Sequence, residues 1–145
     1  GLPIGLGDPV FDKFEAMLSH ALMSIGTIKG IAFGKGFEAI TMKGSEHNDA
    51  FTTNEDKVET KTNHAGGILG GITNGEDVIC TCAIKPPSSI AKTQQTVTKD
   101  GKETEVSVTG RHDPCICPRV VPVIEAMAAI AIVDRLFIQK QTQLD

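Results

Sequence analysis

Tryptophan and tyrosine are absent from the 145 residues, and six phenylalanines make up the whole aromatic content of 4%. Stacking platforms for unpaired bases are therefore scarce. A basic face is lacking too, because 14 lysines and arginines stand against 18 aspartates and glutamates, for a formal net charge of −4 with the signs interleaved. That excludes sequence-blind nucleic-acid binding and leaves room only for a local basic pocket. The longest nearly apolar run, Val120 to Val133, is broken by Pro122 and Glu125 and is too short to cross a bilayer, so it reads as a buried helix. Neither an initiator methionine nor a charged-then-apolar leader opens the chain, and the expectation is a piece of a longer protein. The length suits one hydrophobic core and a single domain over residues 1–145.

Cysteine is sparse, with four residues in two Cys-x-Cys pairs, Cys80/Cys82 and Cys115/Cys117. Residues two apart share a face of an extended segment, so each pair offers two thiols, and His112 stands near the second. Structural zinc prefers wider spacings, however, and Cys80-Thr81-Cys82-Ala83-Ile84 reads as a buried strand in which cysteine is a small hydrophobe. The expectation is no metal and reduced, unpaired cysteines of an intracellular protein.

What is present begins with Asp8-Pro9, a helix start with cap and first-turn proline in favoured places. Val10, Phe11, Phe14, Met17, Leu18, Ala21, Leu22 and Ile25 then recur at three- and four-residue steps, and Gly26 can end the helix. His20 falls toward the polar side. Ile28 to Phe33 and Phe37 to Met42 read as strands joined at Gly34-Lys35-Gly36. Residues 44–63 are polar and of mixed charge, which predicts a long mobile loop or lid. Val78 to Ile84 reads as a strand, and Asp100-Gly101 is the strongest hairpin signal, setting Thr93, Gln95 and Val97 against Thr104, Val106 and Val108. A last helix runs from about Pro118 to Gln141. Glu125 favours its N-terminal dipole, Met127 to Val133 is apolar all round, and Asp134 and Arg135 return it to polar surroundings.

Three stretches carry chemistry. Asn63-His64-Ala65-Gly66-Gly67-Ile68-Leu69-Gly70-Gly71 either lets a flat ring or phosphate approach main-chain amides, or marks a tight backbone crossing. Lys85-Pro86-Pro87-Ser88-Ser89 joins one point charge to two neutral donors suited to a phosphate, or simply ends a strand. Gly110-Arg111-His112-Asp113-Pro114 packs a guanidinium, an imidazole and a carboxylate into adjacent positions before the last helix, where backbone N–H groups favour an anion.

Together with the opening Gly-Leu-Pro-Ile-Gly-Leu-Gly-Asp-Pro-Val-Phe-Asp-Lys and Gly44-Ser45-Glu46-His47-Asn48-Asp49, these segments resemble the C-terminal part of the chorismate synthases over essentially the whole chain. The resemblance implies an α+β fold, a β-α-β sandwich of antiparallel sheets around a layer of long helices, assembled as a homotetramer. It implies a shikimate-pathway lyase of aromatic amino acid biosynthesis, cytoplasmic or in a plastid-type organelle, that eliminates phosphate from 5-enolpyruvylshikimate 3-phosphate. Reduced FMN is the implied cofactor, with NADPH as one candidate reductant. Gly70, Lys85, Pro86, Pro87, Ser88, Ser89 and Arg111 match flavin-contacting positions, and Gly26 and Thr27 align with a further pair. Asp113 matches a carboxylate that assists proton transfer at the flavin, and His112 orients it or binds an anion. Pro87 departs from the usual threonine and Thr73 from the usual serine. The family's large N-terminal portion, with its catalytic histidines and most substrate-binding arginines, is missing, so the expectation is a chain inactive alone. The alternative is a non-catalytic binding or oligomerisation module.

Overall fold

In the computed structural model, which describes residues 1–55 and 57–142, the chain forms four two-stranded antiparallel sheets and two principal helices, an α+β arrangement among the described residues. Helix α1, Phe14–Met23, buries Phe14, Leu18 and Leu22 on one face, the four-residue step of a helix that turns a single stripe inward. It starts five residues later than a cap at Asp8 predicts. Val10 takes a positive φ of 69°, and the Asp8 N–H donates to the Asp12 carbonyl at 2.9 Å, so residues 8–12 form a turn that helical φ/ψ cannot continue. The helix also ends before Gly26, at Ser24, whose hydroxyl donates to the Ala21 carbonyl at 2.6 Å. His20 is exposed, as its place on the polar side implies.

Strand β1, Ile28–Phe33, pairs antiparallel with β6, Cys80–Ile84, and not with Phe37 to Met42. Gly36–Thr41 is instead a 3₁₀ helix, and its Phe37 and Ile40 are exposed. Residues 44–63, expected as a mobile loop, hold a short helix α2, Gly44–His47, and a hairpin of β2, Phe51–Asn54, and β3, Lys57–Thr60. Glu46 Oε2 accepts the Lys43 N–H at 2.9 Å to start α2. Strands β4, Ile68–Leu69, and β5, Ile72–Thr73, turn through Gly70 and Gly71, both at positive φ, the backbone that a two-residue hairpin requires. Strands β7, Gln94–Val97, and β8, Glu103–Val106, flank Asp100-Gly101 as predicted, but the register is one residue off the expected pairing: Gln95 faces Glu105 and Val97 faces Glu103, while Thr104 and Val106 face Thr96 and Gln94.

The 26-residue helix α3, Cys117–Thr142, packs on α1, and α1 packs on β1. The core therefore joins Leu6, Phe14, Leu18, Leu22 and Ile68 to Ile31, Phe33, Ile124, Ala128 and Ile132 from sheet and helix. Arg135, expected on a polar surface, is 5% exposed, with its guanidinium 2.7 Å from Asp8 and 3.7 Å from Asp12. The opposite face of α3, expected to be buried, leaves Ile130, Val133 and Phe137 exposed in this chain. No helix among the described residues is long and apolar enough to cross a membrane.

Candidate cofactor and active site

The β1–β6 ladder brings the Gly26-Thr27 loop and the Lys85–Ser89 segment side by side. Just beyond the ladder, the Lys85 N–H donates to the Thr27 carbonyl at 2.8 Å, so the loop after α1 and the Lys85–Ser89 segment are adjacent. Lys85, Pro86, Ser88, Ser89 and Gly26 are exposed, whereas Pro87 and Thr27 are half-buried. Gln94 holds the segment from the other side, donating to the Ser88 carbonyl at 3.3 Å.

A second contact joins that segment to the charged triplet, because Ser89 Oγ lies 3.3 Å from His112 Nδ1 while His112 Nε2 lies 3.1 Å from the Val108 carbonyl. A carbonyl only accepts, so in the neutral ring Nε2 carries the hydrogen and Nδ1 accepts from the Ser89 hydroxyl. His112 therefore orients Ser89. Asp113 is held by other groups, since Arg111 reaches Oδ1 at 3.2 Å and Arg119 reaches Oδ2 at 2.7 Å. Arg119 had no sequence signal beyond its position at the start of α3, where the first turn points it back over the loop.

Gly70 stands at the β4–β5 turn, with φ +60° and no atom within 4 Å of where a Cβ would project. Among the described residues no hydrogen bond links it to Lys85 or Asp113. Its neighbour Leu69 lines a separate cavity of about 470 Å³ together with Met42, His47, Asp49 and Ala65. Gly66 and Gly67 of that stretch are crossings, since a Cβ on Gly66 would overlap the backbone of Gly34, and one on Gly67 would lie 2.6 Å from the Asp77 carbonyl.

The residue that sequence reasoning missed is Asp49, 7% exposed beneath that stretch. Its oxygens accept from Thr62 Oγ1 at 2.7 Å and from the His64 and Ala65 N–H groups at 2.8 Å each. Burial pushes its carboxyl upward, yet the hydrogen bonds from Ala65, Thr62 and His64 outweigh it and hold the pKa below the ordinary value. His64 Nδ1, buried and without a hydrogen-bond partner among the described residues, lies 3.7 Å from Asp49 Oδ1, and the His47 ring centroid is 5.8 Å from that of His64.

Cys80 and Cys82 are half-buried on β6, and burial, with the neighbouring Cys82, pushes the Cys80 thiol up to about 12. Cys115 and Cys117 are exposed. Among the described residues no three histidine, cysteine or acidic side chains gather as a metal would need.

A phosphate-bearing cofactor fits the donor set around Lys85. Lys85 has no carboxylate partner among the described residues, Arg111 is 78% exposed along its side chain, and Thr27 Oγ1 is buried with no hydrogen-bond partner. Lys85 and Thr27 are donors without acceptors, and Arg111, which reaches Asp113 at 3.2 Å, keeps further N–H groups exposed, so an anion satisfies the set.

The solved structure "Crystal Structure of Chorismate Synthase" superposes on 95% of this chain with a TM-score of 0.75 at 30% identity, and the chain covers 35% of it. That sets the α+β fold class beside an enzyme of known architecture. The family model for chorismate synthase matches residues 1–137. The chain belongs to the chorismate synthase family. It is 49% identical over 144 residues to the chorismate synthase of Phocaeicola vulgatus, covering 99% of this chain and 40% of that one. It is 54% identical over 139 residues to chorismate synthase 2, chloroplastic, of Solanum lycopersicum, covering 95% of this chain and 32% of that one. The chain thus spans about two-fifths of the length of the curated relatives it matches.

Proposed function

We propose that this chain is the cofactor-binding part of a chorismate synthase that eliminates phosphate from 5-enolpyruvylshikimate 3-phosphate with reduced FMN. The observation that carries the reading is the pair of contacts, Lys85 to Thr27 and Ser89 to His112, that joins three segments distant in sequence, with Lys85 exposed and without a carboxylate partner among the described residues. Lys85 supplies a point charge, and the Ser88 and Ser89 hydroxyls supply neutral donors, for the terminal phosphate of the cofactor. His112 positions Ser89. Pro86 and Pro87 stiffen the segment, so less order is lost on binding. Gly26 and Thr27 border it, and Gly70 offers main chain with no side chain in the way. When bound, reduced flavin supplies electron density to a substrate losing an anion, with no net redox change. Arg119 orients the Asp113 carboxylate, whose oxygens take and return a proton, and Arg111 shares its charge between Asp113 and the bound anion.

The reading includes a homotetramer and a reductant such as NADPH. The setting is cytoplasmic, or a plastid as the name of the tomato relative has it. The 145 residues alone are expected to give no measurable chorismate, because the relatives are more than twice as long. Anaerobic titration of reduced FMN into the chain joined to the family's N-terminal portion tests the binding role. Lys85→Ala should weaken binding about tenfold, roughly 1.4 kcal/mol. Asp113→Asn should spare most of the affinity and lower turnover on the order of a hundredfold. Unchanged flavin affinity in both Lys85→Ala and Arg111→Ala contradicts the reading.

A further inference from the structure

Cys115 and Cys117 play no part in the site as described, yet they lie inside a loop that the site closes. The Asp113–Arg119 ion pair, at 2.7 Å, bridges the two ends of Asp113-Pro114-Cys115-Ile116-Cys117-Pro118-Arg119. Both thiols are exposed and stand two residues apart, one on each side of Ile116. Between them Ile116 immediately precedes helix α3, its carbonyl accepting the N–H groups of Arg119 at 2.9 Å and Val120 at 3.0 Å. The other pair, Cys80 and Cys82, is half-buried on β6. Only the second pair meets both needs of thiol–disulfide exchange, access and a neighbouring thiol.

We propose that Cys115 and Cys117 form a dithiol that low-molecular-weight disulfides oxidise, and that its oxidation opposes the Asp113–Arg119 ion pair. One cysteine thiolate attacks a sulfur of the small disulfide, expelling one small thiolate and leaving a mixed disulfide. The second cysteine, as thiolate, attacks the protein-side sulfur and expels the other small thiolate. Two protein thiols are oxidised, one small disulfide is reduced to two thiols, and the two cysteine protons pass to them. A disulfide needs Cα atoms roughly 4.4–6.8 Å apart, which residues two apart reach most easily by bending the chain between them. That bend falls at Ile116, the residue that sets the first turn of α3 and hence the aim of Arg119. The coupling is reciprocal, so an ion pair that favours the dithiol is itself weakened by the disulfide.

The test equilibrates the 145-residue chain in glutathione buffers of graded disulfide content, traps free thiols by alkylation and maps the peptides by mass. The expected result is an internal Cys115–Cys117 disulfide with Cys80 and Cys82 still alkylated. Mixed glutathione adducts in its place, or thiols that stay reduced in excess glutathione disulfide, overturn the dithiol. For the coupling, Arg119→Gln should raise the exchange constant toward disulfide at least about threefold, and high salt should move the unsubstituted chain in the same direction, since it screens the exposed pair. A constant unchanged by both overturns the coupling. Flavin is absent from every arm, so this outcome is separate from that of the flavin reading.

Discussion

Asp49 and Asp113 are two carboxylates held in opposite ways. Asp49 is buried and accepts from a hydroxyl and two backbone N–H groups, so its charge is spent on shaping the chain around it. Asp113 is 28% exposed along its side chain and, among the described residues, is held by two long-stemmed guanidiniums, Arg111 and Arg119. Donors anchored in the backbone cannot leave without unfolding a loop, whereas arginine side chains can exchange one anion for another. The first carboxylate is architecture. The second, held by side chains alone, is the one the proposed function uses.

Substitutions should separate the two regions, and the largest effect is expected beside Asp49. A Cβ on Gly34, at φ +53°, would overlap the His64 carbonyl, so Gly34→Ala should cost on the order of 4 kcal/mol by chemical denaturation. Asp49→Ala strands the His64 and Ala65 N–H groups and should cost about 3 kcal/mol. Asp49→Asn keeps the shape and should cost about 1–2 kcal/mol, and it should also remove part of the acid sensitivity. Because the folded pKa of Asp49 lies below its unfolded value, its stabilisation is complete above about pH 4 and is lost as pH falls from there through the folded pKa. Stability measured between pH 2 and pH 6 should therefore fall less steeply in Asp49→Asn. At the other carboxylate, Asp113→Asn should change stability by less than about 1 kcal/mol, as exposed ion pairs do. A loss there equal to that of Asp49→Ala would erase the distinction.

Legibility in the sequence followed the range of the interactions. Helix α3 was readable almost to the residue, Pro118 to Gln141 against Cys117–Thr142, because a long apolar run bounded by prolines and polar residues is a local signal. The β7–β8 hairpin was readable from Asp100-Gly101. The partner of β1 was not, because β6 lies some fifty residues away and local alternation in Phe37 to Met42 imitated a nearer strand. Asp8 looked like a helix cap, but its carboxylate serves Arg135 from the far end of the chain. Asp49 sat in a polar stretch that reads as solvated, and nothing local reveals that Thr62, His64 and Ala65 close over it. At the candidate site the residue types were legible and the pairing was not, since His112 turns to Ser89 and Arg119 takes Asp113.

The most direct measurement of the central claim is a crystal structure of this chain, joined to the family's N-terminal portion, with reduced FMN bound. The account predicts the terminal phosphate within hydrogen-bond reach of Lys85 Nζ and of a hydroxyl from Ser88 or Ser89, with Asp113 beside the ring system. A flavin bound elsewhere, with Lys85 and Arg111 left facing solvent, would contradict it.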